Sequence, residues 1–258
     1  MQLPFQSQIT SDQNPHYKRW RRFIQRPADA GCPWIPIEGV KQISDLSRNR
    51  TIELMLLSSS SAQEMRQLAR SAADCVLLPD RLFSKLSKVQ SPQGAIAFFS
   101  KPTWSWDELT PWLIYLYEVQ DPGNLGTLLR TAAATGLFSI VSSPGTVSFF
   151  NDKVIRASAG CLFSVPFLEG LELAEIEGRG FECCVASPHD GPAYFDVELA
   201  EPLAFILSNE GHGLDSQEVE GRLKPVRIPM QPGVESLNVA VSGSLIMYEI
   251  VRRRSSNG

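Results

Sequence analysis

The sequence contains no apolar run of about 18 residues, the length that a membrane-spanning helix requires. Its polar first 14 residues lack the apolar core of a secretory signal peptide. The five cysteines are an odd number without a Cys-x-x-Cys motif, so reduced thiols and a cytoplasmic location are expected. Three histidines, His16, His189 and His212, lack the spacing of metal ligands, and we predict no metal site.

Two common nucleotide-binding signatures are missing as well. The loop that follows the first strand of the second half contains only Gly123 and Gly126, not the Gly-x-Gly-x-x-Gly pattern of dinucleotide-binding folds. No Walker A pattern occurs in the chain. A nucleotide-dependent oxidoreductase on a doubly wound fold is therefore disfavoured, but it stays open as an alternative.

The net charge conceals an asymmetry between the two halves of the chain. With 258 residues, 43% apolar and 20% charged, the composition is that of a soluble globular protein with one large domain or two modest ones. The overall charge is −4. Residues 1–105 carry 14 Lys and Arg against 8 Asp and Glu, a net +6, whereas residues 106–258 carry 10 against 20, a net −10. The basic half favours an anionic partner.

A basic segment at 17–26 concentrates this positive charge. It contains three aromatic residues and five cations, which are Lys18, Arg19, Arg21, Arg22 and Arg26. On a helix, Lys18, Arg21 and Arg22 share one face, with aromatic rings nearby for stacking, and this pattern favours contact with RNA. The alternative is a solvated face on a helix that its aromatic residues attach to the core.

Short apolar runs alternate with helical segments, which predicts two α/β units. In the first unit we expect strands at 34–37, 52–57, 75–78 and 95–99, and helices at 40–46 and 62–70. The second is expected to be a mostly parallel sheet flanked by helices. Its strands are predicted at 113–119, 138–142, 181–186, 204–208 and 226–228, and its helices at 125–135, 153–158, 171–178, 216–222 and 237–253.

The domain boundaries follow from the change of charge and from a candidate linker around 100–103. We predict a loosely ordered N-terminus at 1–13, a first domain at 14–102, a linker at 103–110 and a second domain at 111–258.

One stretch, 119–136, has the pattern of a strand, a loop and a helix, and such loops form sites at the carboxyl end of a sheet. Asn124 is predicted to cap the helix at its N-terminus, and Gly136 is predicted to end it. Arg130 lies one turn after Gly126 and leans back toward the loop, where an anion or a reacting hydroxyl would sit. The alternative, an ordinary surface arginine, is equally compatible with this stretch alone.

Two further loops carry polar residues at predicted strand ends. In the first, Glu210 lies among small and glycine residues directly after a buried strand. In the second, at 228–239, prolines and a glycine make a rigid loop, Ser236 is the predicted N-cap of the last helix, and Asn238 lies in its first turn. Because the carboxyl ends of parallel strands share one edge, the three loops are expected to form one crevice.

Together these stretches resemble the three signature motifs of the SpoU/TrmH family of SPOUT RNA ribose methyltransferases. Motif one is similar to Asp121-Pro122-x-Asn124-x-Gly126 followed by Arg130-Thr131-Ala132. Motif two is similar to Glu210-Gly211-x-Gly213-Leu214, and motif three to Ile228-Pro229-Met230 with Ser236-Leu237-Asn238-Val239. Residues 156–160 match a helix that the family has between these motifs. Residues 14–102 resemble, less specifically, the family's ribosomal-L30e-like substrate-binding domain.

The resemblance implies both a fold and an activity. The fold would be an α/β domain with helices on both faces of the sheet and a deep trefoil knot at its carboxyl end. The activity would be methyl transfer from S-adenosylmethionine to a ribose 2′-hydroxyl of structured RNA, with rRNA favoured over tRNA. The family also implies a homodimer whose site is built across the interface, with the last helix as a dimer element.

By position, the resemblance assigns catalysis to Asn124, Arg130, Glu210, Ser236 and Asn238. It assigns cofactor binding to Ser208, Gly211, Ile228, Met230 and Leu237. RNA contacts are expected from the five cations of the basic segment and from Arg156. Two residues depart from the family pattern: Asp121 stands where motif one usually begins with Asn, and Ser208 where motif two usually has Gly. Both weaken the inference about substrate more than the inference about activity.

The chemistry of arginine constrains the mechanism. A guanidinium stays protonated, so it is a poor general base. Arg130 is instead expected to hold the phosphate next to the target ribose and to stabilise the developing alkoxide, with Glu210 and Asn238 orienting Arg130 and the sugar.

Two alternative functions stay open, a tRNA methyltransferase of the same family and a non-catalytic RNA-binding protein that retains the fold. The second would be expected to lack Arg130 or Asn238, and both are present.

Overall fold

The computed structural model describes residues 7–187, 190–208 and 223–256. The chain forms two compact units. The first comprises Met1–Pro102 and Phe150–Arg156, and the second comprises Thr103–Phe149 and Ala157–Gly258. Each unit contains one β-sheet.

The first unit is built on a five-stranded mixed sheet with strand order β1-β4-β3-β5-β2. Its strands are β1 (Ser7–Gln8), β2 (Trp34–Glu38), β3 (Leu54–Ser58), β4 (Cys75–Leu78) and β5 (Ala95–Ser100). Its first four helices are α1 (Pro15–Gln25), α2 (Val40–Ser47), α3 (Arg66–Ala69) and α4 (Asp80–Leu86). Strand β5 is antiparallel to β2 and β3, and the remaining pairs are parallel.

Two features of the first unit differ from the sequence prediction. Strand β1 was not predicted: it pairs with β4 within the segment expected to be loosely ordered, and the Ile9 N–H donates to the Leu77 carbonyl at 3.2 Å. Helix α4 was not predicted. Its buried residues Leu82, Phe83 and Leu86 have helical spacing and could have indicated it.

The second unit is built on a six-stranded sheet with strand order β11-β9-β10-β6-β7-β8, and all of its described strand pairs are parallel. Its strands are β6 (Trp112–Tyr117), β7 (Phe138–Ser142), β8 (Phe167–Leu168), β9 (Glu182–Ser187), β10 (Leu203–Ser208) and β11 (Lys224–Arg227). The predicted mostly parallel sheet is thereby confirmed. The two-residue edge strand β8 was not predicted.

Helices lie on both faces of this sheet. They are α5 (Pro122–Thr135), α7 (Leu173–Gly178) and α8 (Val239–Ser256), while α6 (Asp152–Ala157) belongs mainly to the first unit. Ile206 of β10 packs in a cluster with Ile176 of α7, whereas its neighbour Leu207 lies against α8 on the opposite face, near Gly243. This alternation is the two-residue period of a strand that is buried on both faces.

The predicted helix at 216–222 lies outside the described residues. The trefoil knot also stays a prediction, because the path of residues 209–222 is not described. No helix of the described chain is both long and apolar enough to cross a membrane.

A buried carboxylate fixes the C-terminal half of α8. Glu249 is only 8% exposed. It accepts hydrogen bonds from Arg252 Nε and Nη2 at 2.9 and 2.8 Å, and from Arg253 Nε at 2.7 Å. Arg253 also donates to the backbone carbonyls of Tyr194 and Val197. The Arg252 hydrogen bonds lower the pKa of Glu249 to about 2, against the opposing effect of burial.

We expect Glu249→Gln to lower the free energy of unfolding by about 2 kcal/mol at neutral pH, because two arginines lose their charged partner. The folded-state pKa lies below the ordinary value of 4.5, so this contribution is complete above that pH and disappears as the pH falls toward 2. Urea unfolding of variant and wild type should therefore give curves that converge in acid. The exposed Glu198→Gln is the control, and a Glu249→Gln chain of wild-type stability at pH 7 would contradict this account.

Candidate active site

The predicted site residues follow strands that end at one edge of the second sheet. Ser208, the last residue of β10, pairs with Tyr117, the last residue of β6. Arg227 and Ser187, the last residues of β11 and β9, also pair with each other. Since all these strands are parallel, the loop at 118–121, Ser208 and the segment that begins at Ile228 lie along the same carboxyl edge.

Motif one begins α5, but the cap is not the predicted residue. Asp121 is the N-cap, and its Oδ1 accepts from the Asn124 N–H at 2.8 Å. The prediction of Asn124 as N-cap is therefore wrong, because Asp121 precedes Pro122, which suits the first position of a helix. Gly136 ends α5 with a positive φ of 65°, as predicted. Because Asp121 caps α5, the Asn124 side chain is available for other contacts.

Asn124 and Asn238 are brought together by a direct hydrogen bond. Asn238 Oδ1 accepts from the backbone N–H groups of Ala240 and Val241 at 2.9 and 3.3 Å, so Asn238 caps α8. Its Nδ2 then donates to Asn124 Oδ1 at 2.9 Å. The prediction of Ser236 as this N-cap is wrong, since α8 begins at Val239 and Ser236 is exposed in the preceding loop.

This contact orients both amide groups. Only an oxygen can accept from the two backbone N–H groups at the start of α8, so the Asn238 nitrogen must face Asn124. Asn124 must in turn present its oxygen to Asn238. Its Nδ2 group makes no hydrogen bond to another described residue and remains a donor at the carboxyl edge of the sheet.

A second hydrogen bond joins α5 and α8. The hydroxyl oxygens of Thr131 and Ser244 are 2.9 Å apart. Thr131 lies seven residues after Asn124, which is two helical turns, so both contacts use the same side of α5. The two helices are therefore held at two points. Sequence reasoning did not identify Ser244, because a serine within a helix carries no signal of its partner.

Arg130 is exposed and makes no hydrogen bond or ion pair to the described residues. Its charge acts on Cys161: burial raises the pKa of that thiol, and nearby Arg130 opposes the shift. The structure therefore brings Asn124 and Asn238 together, and within the described chain neither Arg130 nor Ser236 forms a hydrogen bond to them. Glu210 and Gly211 lie outside the described residues.

Gly126 has a packing role that differs from the predicted one. The residue is buried, and a Cβ atom placed on it would lie 2.3 Å from the Cβ and 2.9 Å from the backbone carbon of Ala157. The absence of a side chain thus allows α5 to approach residue 157. Gly126 therefore serves helix packing and is not open space for a ligand.

Glu118 is a residue that sequence reasoning missed. It directly follows β6 and has a positive φ of 52°, while its N–H donates to Ser143 Oγ at 2.9 Å. Positive φ is uncommon for a residue other than glycine and is concentrated at functional loops. Glu118 turns the chain from β6 into the motif-one loop, and a glutamate gives no sequence signal of this conformation.

The segment 228–238 has the features of a ligand-binding wall. Ile228 is buried, and Met230, Leu237 and the nearby Ser208 are half-buried. Within the described chain, one internal backbone hydrogen bond occurs in this segment, from the Val234 N–H to the Gln231 carbonyl. An irregular segment with apolar side chains suits a ligand that has an apolar ring and polar edges.

The cations predicted to contact RNA are all exposed, whereas the aromatic residues of α1 are not. Lys18, Arg19, Arg21, Arg22, Arg26 and Arg156 are solvent-accessible. Tyr17, Trp20 and Phe23 are buried in the core of the first unit. The predicted stacking of RNA bases on these rings is therefore wrong. Instead, the guanidinium carbons of Arg19 and Arg22 lie 5.1 and 5.4 Å from the centre of the Phe23 ring.

A cavity of about 630 Å³ lies at the opposite edge of the second sheet. Trp112, Glu182 and Lys224, which line it, are the first residues of β6, β9 and β11. It is therefore not the predicted crevice, whose motif-two loop is outside the described chain. Among the described residues, no group of His, Cys, Asp and Glu is arranged to hold a metal ion.

Comparison with known proteins gives one family match, one related sequence and two related structures. Residues 111–248 match the SpoU rRNA Methylase family. The chain is 28% identical over 246 residues to the 23S rRNA (guanosine(2553)-2′-O)-methyltransferase RlmP of Bacillus subtilis, covering 94% of this chain and 98% of that protein. It is 29% identical to a crystal structure of an RNA 2′-O ribose methyltransferase, with a TM-score of 0.76 and coverage of 96% and 99%. The AdoMet-bound rRNA methyltransferase from Sinorhizobium meliloti has the same fold, with a TM-score of 0.80, 22% identity and coverage of 96% and 97%.

We expect Gly126→Ala to destabilise the second unit. Alanine improves helix propensity by about 1 kcal/mol, but the contact with the backbone of residue 157 costs about 1–3 kcal/mol because it cannot be relieved by a rotamer change. Gly178→Ala at the end of α7 is the matched control, since nothing lies within 4 Å of the added methyl group. Thermal unfolding would measure both, and an equal gain in stability in the two variants would refute the packing role.

Proposed function

This chain belongs to the SpoU rRNA Methylase family, and we propose that it transfers a methyl group from S-adenosylmethionine to a ribose 2′-hydroxyl of structured RNA. The observation that carries the proposal is the hydrogen bond between Asn124 and Asn238 at the carboxyl edge of the parallel sheet. It joins motif one to motif three and leaves an oriented donor at the site. We favour rRNA as the substrate, in line with the name of the Bacillus subtilis relative.

The wall formed by 228–238 fits the cofactor. S-adenosylmethionine carries an apolar adenine face, polar edges and, on its sulfonium, the methyl group that is transferred. Ile228, Met230 and Leu237 offer apolar surface, and the backbone groups around them would offer donors and acceptors. Ser208 would border this wall, and Gly211 is proposed to contribute backbone groups from outside the described residues.

In the proposed reaction the chain positions groups rather than reacting itself. Arg130 holds the phosphate beside the target ribose and stabilises the negative charge that develops on the 2′-oxygen. The phosphate aids removal of the hydroxyl proton as the methyl group passes from sulfur to the 2′-oxygen. Asn124 Nδ2 donates a hydrogen bond to the same region of the substrate, in the orientation that Asn238 imposes. Ser236 and Glu210 are proposed to bind the sugar and to orient Arg130.

The first unit is proposed to bind the RNA. Lys18, Arg21, Arg22 and Arg26 extend along the exposed side of α1, and residues 1–105 carry a net charge of +6. Cations of this kind contact phosphates irrespective of sequence and position the nucleic acid. A folded RNA such as rRNA offers the extended phosphate surface that this face would need. The L30e-like character of the unit stays part of the proposal.

Helix α8 is proposed to form the homodimer interface. Val241, Leu245 and Tyr248 are 46%, 38% and 54% exposed. Their spacing of four and three residues places them on one side of the helix. An exposed apolar stripe of this kind is typical of a protein interface. The opposite side of α8 packs on α5. Asn238 caps the start of the same helix, three residues before Val241, so the proposed interface begins close to the site.

We expect Asn238→Asp to separate capping from catalysis. Aspartate caps a helix as well as asparagine does, so the unfolding temperature should stay near that of the wild type. Because the introduced carboxylate has no N–H donor, Asn124 would turn its Nδ2 toward it and present an oxygen to the substrate. We expect kcat to fall about 100-fold, as for the loss of one oriented donor. Transfer of tritiated methyl groups to rRNA from cells that lack the gene measures the rate.

The matched control is Asn14→Asp. Asn14 caps α1 through hydrogen bonds from the N–H groups of His16 and Tyr17, so the same charge is added at another helix start. Its kcat should equal that of the wild type. Wild-type kcat in Asn238→Asp would refute the role of the oriented amide. Calorimetry with S-adenosylmethionine and with NAD tests the wider proposal, which fails if the wild-type chain does not bind S-adenosylmethionine.

We expect Leu245→Asp to convert a dimer into a monomer in sedimentation velocity, because a charge would replace the centre of the apolar stripe. The side chain is partly exposed, so the fold should be retained and the far-ultraviolet circular dichroism unchanged. Phe195→Asp is the control, since Phe195 is 47% exposed but lies outside α8. A wild-type monomer, or a Leu245→Asp dimer, would exclude this interface.

A further inference from the structure

Two cations of the first unit share one carboxylate oxygen. Lys88 Nζ and Arg156 Nη1 each lie 2.8 Å from Asp152 Oδ2. Lys88 and Asp152 side chains are each 26% exposed, and that of Arg156 is 47% exposed. We call these three residues the Lys88 cluster. Two cations and one carboxylate leave the cluster with a net positive charge that solvent can reach.

The Lys88 cluster adjoins the end of the basic helix α1. Lys88 Nζ also donates to the carbonyl of Gln25, the last residue of α1, at 3.3 Å. The chain around Lys88 is fixed by Glu38, whose carboxylate accepts from the Ser87 hydroxyl and the Lys88 N–H. Arg26, one of the cations proposed to bind RNA, is the next residue after Gln25. Lys88 therefore lies beside the cationic end of α1, with the carboxylates of Asp152 and Glu38 as its neighbours.

Asp152 is in its charged form. Burial raises the pKa of Asp152, but the hydrogen bonds and charges of Lys88 and Arg156 outweigh this effect and hold the pKa below its usual value. Both cations thus bind the same oxygen of the Asp152 carboxylate. A phosphate oxygen presents the same charge and the same acceptor geometry to lysine and arginine.

We propose that Lys88 and Arg156 together bind one phosphate of the RNA backbone, and that Asp152 takes the place of this phosphate in the free protein. This inference rests on the proposed function. Binding of RNA then exchanges an intramolecular partner for a phosphate, so Asp152 lowers the affinity for RNA while it keeps the two cations together.

The cavity next to the Lys88 cluster limits which part of a nucleotide can bind there. The cavity has a volume of about 50 Å³ and lies between the Lys88 cluster and the apolar side chains of Ile24, Ile37, Ile96 and Ile155. This space holds only a few water molecules and is too small for a nucleobase. The cluster therefore contacts the RNA backbone, which positions the RNA without reading its sequence.

The test measures how RNA binding depends on salt, by fluorescence anisotropy with a labelled RNA hairpin of about 20 nucleotides. Loss of one phosphate contact reduces the slope of log K against log salt by about 0.7 to 0.9. Lys88→Gln should show this reduction and weaker binding. Asp152→Asn should bind more tightly than the wild type, because the competing carboxylate is removed while the shape of the side chain is kept.

The matched controls are Lys224→Gln and Glu182→Gln. These residues form an ion pair in the second unit, at the first residues of β11 and β9. Both controls should retain the wild-type slope and affinity. Circular dichroism melting of all four variants confirms that each is folded.

Three outcomes would overturn the proposal. They are a wild-type slope in Lys88→Gln, weaker binding in Asp152→Asn, and an equal change in the control pair. Methyl transfer and binding of S-adenosylmethionine are measured on the same preparations. If these persist, only the phosphate site is wrong. If the wild-type chain binds neither RNA nor S-adenosylmethionine, the proposed function fails, and the phosphate site fails with it.

Discussion

The parallel pairing of the second sheet is the constraint on which the candidate site depends. Because β6, β9, β10 and β11 all run in one direction, each loop that follows a strand leaves at the same edge. Residues that are more than 100 positions apart in the chain, such as Asn124 and Asn238, can therefore meet. An antiparallel pair within this set would send one of the loops to the opposite edge. The direction of the strands thus determines where the polar groups of the site lie.

Helix capping fixes the orientation of the amide groups of the site, which strand direction alone does not determine. Asp121 caps α5 and thereby frees Asn124, while Asn238 caps α8 and thereby fixes which of its amide atoms faces Asn124. Each helix start is stabilised by a residue that also belongs to a family motif. The same few hydrogen bonds therefore stabilise the helix starts and orient the groups of the proposed reaction. A substitution of one of these residues changes both stability and activity, unless the new residue is also a good cap.

Much of the architecture could be predicted from the sequence, because apolar runs and helical periodicity are local signals. Strands at Cys75–Leu78 and Phe138–Ser142 were located to the residue, and the parallel sheet followed from their alternation with helices. What failed depends on tertiary packing. Asn124 and Ser236 were plausible caps, but neighbouring residues took that role. The rings of α1 appeared available for stacking, and only the core of the first unit shows that they are buried.

Helix α8 is anchored at both of its ends. Asn238 is held at its start by Asn124, and Arg253 is held near its end by Glu249 and by the carbonyls of Tyr194 and Val197. Each residue of an α-helix advances the direction of the side chains by about 100°. One inserted or deleted residue between these anchors would turn one end away from its partners. Relatives with this arrangement should therefore vary in residue type along the helix, while the number of residues between the two anchors stays constant.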